Sequence, residues 1–183
     1  EAHIVYDNHI EQLFEPGKNY LYVDVGGGST EINLISEGEL KSSRSYNIGT
    51  VRMLSGMVKN EEKEQMHTDL EVLAKEYAPI HIIGSGGNIN KLFRLADKKD
   101  KKQLFLPLAS LQDIYRTLKD LPKEQRIKLF KLKPDRADVI VPAAEIFMEV
   151  ATRVQANGII VPTIGLSDGI IDSLYTKNRQ WMQ

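Results

Sequence analysis

The sequence predicts an α/β fold: a mixed five-stranded sheet, three antiparallel strands followed by two parallel ones entered through helices, with helices on its faces. Three observations predict it. Near the start, "LYVDVGGGSTEINLIS" holds a β-branched run and a second run alternating at period two, joined by glycines. Two later apolar runs, Ile80-His81-Ile82-Ile83 and Ile159-Ile160-Val161, each follow a helical pattern. A strand entered through a helix pairs in parallel with the earlier sheet. Between them runs the longest helical pattern, residues 135–155, with an apolar stripe of Ile140, Val141, Ala144, Phe147, Met148, Ala151 and Val154.

Taken in order, residues 1–13 read as the end of a helix, with Ala2, Val5, His9 and Leu13 on one face. Residues 15–19, "EPGKN", form a turn by composition. Residues 20–25 make a buried strand, 31–36 a second, and "SEGE" a hairpin turn into a more polar third strand, 40–48, at a sheet edge. A short helix is expected over 49–57. Asn60 is placed as the N-cap of the next helix, where Met66, Leu70, Leu73 and Tyr77 recur at helical spacing before Pro79 ends it. The strand at 80–83 runs into Gly84-Ser85-Gly86-Gly87 and a helix over 89–96. Residues 97–102 are charged and exposed, and helices follow near 110–119 and 123–130. Asn157-Gly158 should stop the long helix, with glycine in the left-handed position. "GLSDGIIDSLY" opens a final helix.

The totals bound the function. The chain has 183 residues, 42% hydrophobic and 27% charged, enough for one sizeable core. It contains no cysteine, which excludes disulfides, cysteine zinc sites and thiol catalysis and agrees with a cytoplasmic location. No apolar stretch is long enough to span a bilayer, and no secretory pattern opens the chain, so no membrane partner is expected. The net charge is −1, and no basic recognition helix appears, so no nucleic-acid partner is expected. The four histidines show no metal-ligand spacing.

The chemistry concentrates in the glycine loop after the first strand. The dinucleotide fingerprint fails there: Gly26 and Gly28 fit, but Glu31 stands in the third place. The Walker pattern fails too, for lack of Gly-Lys-Ser/Thr. Two readings of the loop stay open: a glycine-rich hairpin with two solvated carboxylates, or an anion-binding concavity. In the second, Gly26, Gly27 and Gly28 leave N–H groups unshielded while Ser29 and Thr30 add hydroxyls. Asp24 and Glu31 would repel a naked phosphate, so they make sense with a divalent cation between. The second loop, Gly84, Ser85, Gly86 and Gly87, also follows a strand, and a helix N-terminus begins there. Two such loops at one sheet edge favour the concavity. Arg52 and Arg136 are candidate anion contacts or structural ion-pair residues. Lys98, Lys99, Lys101 and Lys102 are either a guide for a polyanion or a solvated loop.

"VDVGGGSTEINLISEG" resembles the second phosphate motif of the exopolyphosphatase and guanosine pentaphosphate phosphatase (Ppx/GppA) family. "YNIGTVRML", "IIGSGGNINKL", "LKPDRADVIVPAAEIF" and "GLSDGIIDSLY" resemble later segments of that family, in order. The resemblance implies a ribonuclease H-like lobe of the actin-like ATPase superfamily, shared with sugar kinases. It implies two lobes with the active site in the cleft between them. The superfamily's aspartate-glycine first-lobe motif does not occur here, and the chain opens without methionine, so residues 1–183 are expected to be one domain, the second lobe. Residues 1–18 are its junction segment, and the first lobe is a missing partner.

The family carries a Glu-Glu-Ala-Arg stretch at the junction, whose second glutamate is the proposed catalytic base. "EAH" places Glu1 there, with His3 in place of the arginine. The implied chemistry is hydrolysis of the terminal phosphoanhydride of polyphosphate or a guanosine polyphosphate. Mg2+, or another divalent cation, is held by Asp24 and Glu31, and phosphate by Gly26, Gly27, Gly28, Ser29 and Thr30. The isolated chain is expected to be weakly active or inactive, and its open cleft face invites a homodimer. A non-catalytic phosphate- or nucleotide-sensing module is the alternative, and a phosphotransferase fits less well.

Overall fold

The computed structural model describes residues 14–162. In chain order it contains β1 (Asn19–Val25), β2 (Thr30–Ser36), β3 (Glu39–Tyr46), α1 (Thr50–Leu54), α2 (Asn60–Tyr77), β4 (Ile80–Ser85), α3 (Gly87–Leu95), β5 (Phe105–Pro107), α4 (Leu108–Lys119), α5 (Lys123–Phe130), α6 (Pro134–Arg153) and β6 (Gly158–Ile160). The strand order is β3-β2-β1-β4-β6-β5. The β1–β2 and β2–β3 pairs are antiparallel, while β1–β4 and β4–β6 are parallel, as the mixed α/β reading requires.

Three local expectations are corrected. The sheet has six strands, not five, because β5 pairs antiparallel with β6 at the far edge. At three residues, one of them Pro107, β5 is too short to show a period. Asn60 is the first residue of α2 rather than its cap; Lys59 holds the cap position, and Glu61 and Glu62 complement the positive helix end. The residue that leaves α6 with positive φ is Gln155, at 56°. Gly158 instead begins β6, where a Cβ would sit 2.3 Å from the Leu106 carbonyl oxygen. The residue is glycine for closeness of approach, not for handedness. The expected helices at either end of the chain lie outside the described residues.

Alternation along the strands builds two faces. Leu21, Val23, Val25, Ile32, Leu34, Ile80 and Ile82 point to one face and join the main core. Over it lies α6, started by Pro134 at its first position and burying Ile140, Ala143, Ala144, Phe147, Val150 and Ala151 completely. Each fully buried large apolar side chain of this kind contributes about 1.5–3 kcal/mol. The other face carries Tyr20, Tyr22, Ile35 and Ile83. Asp24 and Glu31 stand on that second face at the end of β1 and the start of β2, since period two continues through Tyr22 and Asn33. Among the described residues, no helix is long and apolar enough to cross a membrane.

Candidate active site

The glycine loop gets its shape from α1. The Gly26 N–H donates to the Ser29 carbonyl at 2.9 Å and closes the turn. The loop's carbonyls are then taken up one by one. Gly26 O accepts from Thr50 N–H at 3.0 Å, and Gly27 O accepts from Val51 N–H at 3.0 Å and Arg52 N–H at 3.2 Å. Gly28 O accepts from Arg52 Nε–H at 2.8 Å. In a planar trans peptide the C=O of one residue and the N–H of the next point opposite ways. With these carbonyls aimed at α1, the N–H groups of Gly27, Gly28 and Ser29 point away from it. None of these has a hydrogen-bond partner among the described residues, and Gly27 and Gly28 are exposed. Consecutive N–H groups aimed to one side form a nest for an anion.

Gly49, whose place in the sequence shows only the start of a short helix, makes this docking possible. A Cβ there would lie 2.3 Å from Gly27 O and 2.6 Å from the Gly28 carbonyl carbon. Those are backbone atoms, so nothing yields cheaply. Thr30 also has a role different from the expected one. It is fully buried, and its hydroxyl donates to Ile48 O at 2.6 Å. That bond ties the start of β2 to the segment leading into α1 and commits the hydroxyl proton to the fold. Asn47 adds a second tie: its backbone and side-chain N–H groups donate to Glu62 at 3.0 and 3.1 Å. These bonds, the side-chain one first, hold the Glu62 carboxyl below its ordinary range.

The carboxylates lie in one cross-strand row. Asp24 pairs with Glu31 on β2 and with Ser85 on β4, and Glu31 pairs with Ser45 on β3. Register partners point to the same face, so Ser85, Asp24, Glu31 and Ser45 form a polar row at the carboxyl ends of β1 and β4. Ser29 Oγ and Ser45 Oγ both donate to Glu31 Oε1, at 3.0 and 2.7 Å. One row below, Asn33 Oδ1 is buried without a hydrogen-bond partner.

The second glycine segment divides into three functions. Gly84 is core: a Cβ there would meet Ile159, Ile89 and Phe147 at 2.8–3.1 Å. Gly86 has φ of 106° and caps α3, so only glycine fits easily. It also abuts the first site, for a Cβ on it would sit 3.5 Å from Asp24 Oδ1. Gly87 lies under the Arg136 guanidinium, and Arg136 Nη1–H donates to Asn88 Oδ1 at 2.7 Å. Arg136 thus holds the start of α3, while Arg52 holds the first loop. Lys99 is occupied as well, donating to the Arg94 and Ala96 carbonyls at the end of α3. The two loops therefore meet at one end of β1 and β4, the topological switch where the chain leaves β1 for an antiparallel neighbour on one side and a parallel one on the other. Glu1 lies outside the described residues.

The profile of the Ppx/GppA phosphatase family matches residues 1–178. The chain belongs to the Ppx/GppA phosphatase family. Exopolyphosphatase 2 of Mycobacterium tuberculosis is 27% identical over 197 residues, covering 95% of this chain and 61% of its own length. The Ppx/GppA chain therefore spans about 61% of that curated relative. Among solved structures, the type II variant of the Aquifex aeolicus Ppx/GppA phosphatase superposes with a TM-score of 0.68 at 27% identity, over 92% of this chain and 60% of that one. An exopolyphosphatase from Cytophaga hutchinsonii shares the fold, with a TM-score of 0.69 at 21% identity, over 94% of this chain and 64% of that one.

Proposed function

We propose that this Ppx/GppA chain is one lobe of a cytoplasmic phosphohydrolase that releases terminal phosphate from inorganic polyphosphate or guanosine pentaphosphate by attack of water. The observation that carries the proposal is the meeting, at one sheet edge, of an outward-facing N–H nest and an in-register carboxylate pair. Phosphoanhydride hydrolysis needs positioning and charge neutralisation more than covalent help, and those are what the two features supply.

The donor set suits Mg2+. Asp24 and Glu31 offer hard carboxylate oxygens on neighbouring strands, and no group of three or more metal-ligating side chains occurs among the described residues. An ion there would complete its shell with water and phosphate oxygens, which is the habit of Mg2+. Bound there, it would offset the negative charge between the carboxylates and the phosphate.

The chain's own groups do the rest. The N–H groups of Gly27, Gly28 and Ser29 bind phosphate oxygens, and Gly26 and Thr30 keep the loop closed and tethered. The backbone at Gly86 and Gly87 faces a more distal phosphate or a base. Glu1 orients the attacking water and takes its proton. Val51, Leu54 and Met57 stand more than half exposed beside the loop, a surface suited to cover by a first lobe.

The test is phosphate release from polyphosphate and from guanosine pentaphosphate by the protein carrying both lobes. Asp24→Asn and Glu1→Gln should each lower turnover by about two orders of magnitude or more. Unchanged rates in both variants would refute the assignment. Saturable binding of both substrates with no turnover by the unsubstituted protein would favour a sensing module.

A further inference from the structure

Two hydroxyls converge on one oxygen of Glu31. Ser29 approaches Oε1 from the loop that precedes β2, and Ser45 approaches it from β3, directly opposite in register. Oε2 accepts no hydrogen bond among the described residues. We infer that Ser45 is a positioning residue for the divalent cation: it fixes the Glu31 carboxylate through Oε1 so that Oε2 is presented to the ion. The inference rests on the reading of Asp24 and Glu31 as the cation site.

Ser45 suits this task better than Ser29. A serine hydroxyl has one proton to donate. Ser29 belongs to the nest, and when phosphate occupies the loop its hydroxyl has a competing acceptor. Ser45 lies one strand further out, beyond Glu31 from the nest, and has no such competitor. Its bond to Glu31 is also the shorter, at 2.7 Å against 3.0 Å. Without it, the carboxylate keeps only the donor that phosphate draws away. In sequence, Ser45 sits in "KSSRSY", a polar edge strand with nothing to distinguish it from Ser42 or Ser43. Only the register singles it out.

The experiment is a Mn2+ titration of the 183-residue chain, read by the electron paramagnetic resonance of free Mn2+ and repeated with Mg2+ as competitor. Mn2+ reports binding directly, so turnover is not required. Ser45→Ala removes a hydrogen bond to a charged group and should weaken Mn2+ binding about tenfold. Ser45→Thr keeps the hydroxyl and should restore most of that loss. Ser42→Ala, on the same strand but opposite Leu34 and therefore on the other sheet face, should change nothing. Asp24→Asn should abolish binding. Ser45 is exposed at an edge, so the alanine variant should keep its amide spectrum. Equal Mn2+ affinity in the Ser45→Ala variant and the unsubstituted chain, with binding still lost in Asp24→Asn, would overturn the role of Ser45 and leave the cation site standing. No Mn2+ binding by the unsubstituted chain would overturn the cation site, and this inference with it.

Discussion

Replacing Gly49 by alanine should damage the site without removing a single group that binds ligand. The added Cβ would lie 2.3 Å from Gly27 O, 2.5 Å from Gly27 C and 2.6 Å from Gly28 C. Relief to ordinary contact needs a displacement of about 1 Å. Three hydrogen bonds cross the same seam, from the Thr50, Val51 and Arg52 N–H groups at 3.0, 3.0 and 3.2 Å. A shift of that size takes all three beyond hydrogen-bonding range. At about 1 kcal/mol each, their loss costs about 3 kcal/mol, in the same range as the overpacking penalty for a tight site. For a chain of this size that lowers Tm by roughly 6–12 °C. Gly28→Ala is the control. It adds the same methyl group to the same loop, but nothing lies within 4 Å of its Cβ, so its effect should stay within about 0.5 kcal/mol. Thermal melts and amide spectra of both variants provide the assay. Equal melting of the two, with Gly27 and Gly28 amide shifts unmoved in Gly49→Ala, would refute the claim that α1 sets the loop.

Two further outcomes follow from a buried hydroxyl and a half-buried imidazole. Thr30→Val keeps shape but leaves Ile48 O without its donor, so it should cost about 1–2 kcal/mol in denaturant unfolding, whereas Thr30→Ser should cost less; equal loss in both would remove the hydrogen bond from the account. His81, beside Tyr20 on β4, has its pKa lowered, by burial first and by the charge of Lys18 second. The unfolded chain therefore takes up this proton at a higher pH than the folded one. Stability from this group is present above about pH 6.5 and falls as pH drops from there toward the lower folded pKa. His81→Gln should flatten that part of the stability–pH curve, and an unchanged slope would assign it to other groups.

The strands that carry the site were legible because their chemistry repeats. "YLYVDV" and "IHII" are runs rich in strand-forming residues that lead into glycine, and the α6 stripe from Ile140 to Val154 keeps its period through Pro142. Asp24, the glycines and Glu31 could be read as a unit because they are contiguous. What escaped the sequence depends on contacts between distant segments. Gly49 is glycine because a loop more than twenty residues earlier lies against it. Ser45 matters through its register opposite Glu31, and Thr30 is buried by a partner at Ile48. Gly84 looked like loop because it precedes Ser85-Gly86-Gly87, yet it is glycine to admit Ile159 and Phe147. β5 is not legible because three residues after a charged run carry no periodicity, and its pairing with β6 is what makes it a strand.

The proposed site has the N–H groups of Gly27, Gly28 and Ser29 receive phosphate beside a cation held by Asp24 and Glu31. The most direct measurement is a tripolyphosphate titration of the 15N-labelled chain, with and without Mg2+, followed by amide chemical shifts. Saturable shifts at Gly27, Gly28 and Ser29 that require Mg2+ and vanish in Asp24→Asn are expected. Shifts confined to surface lysines such as Lys101 and Lys102, or no shift in the loop at any Mg2+ concentration, would contradict the proposed site.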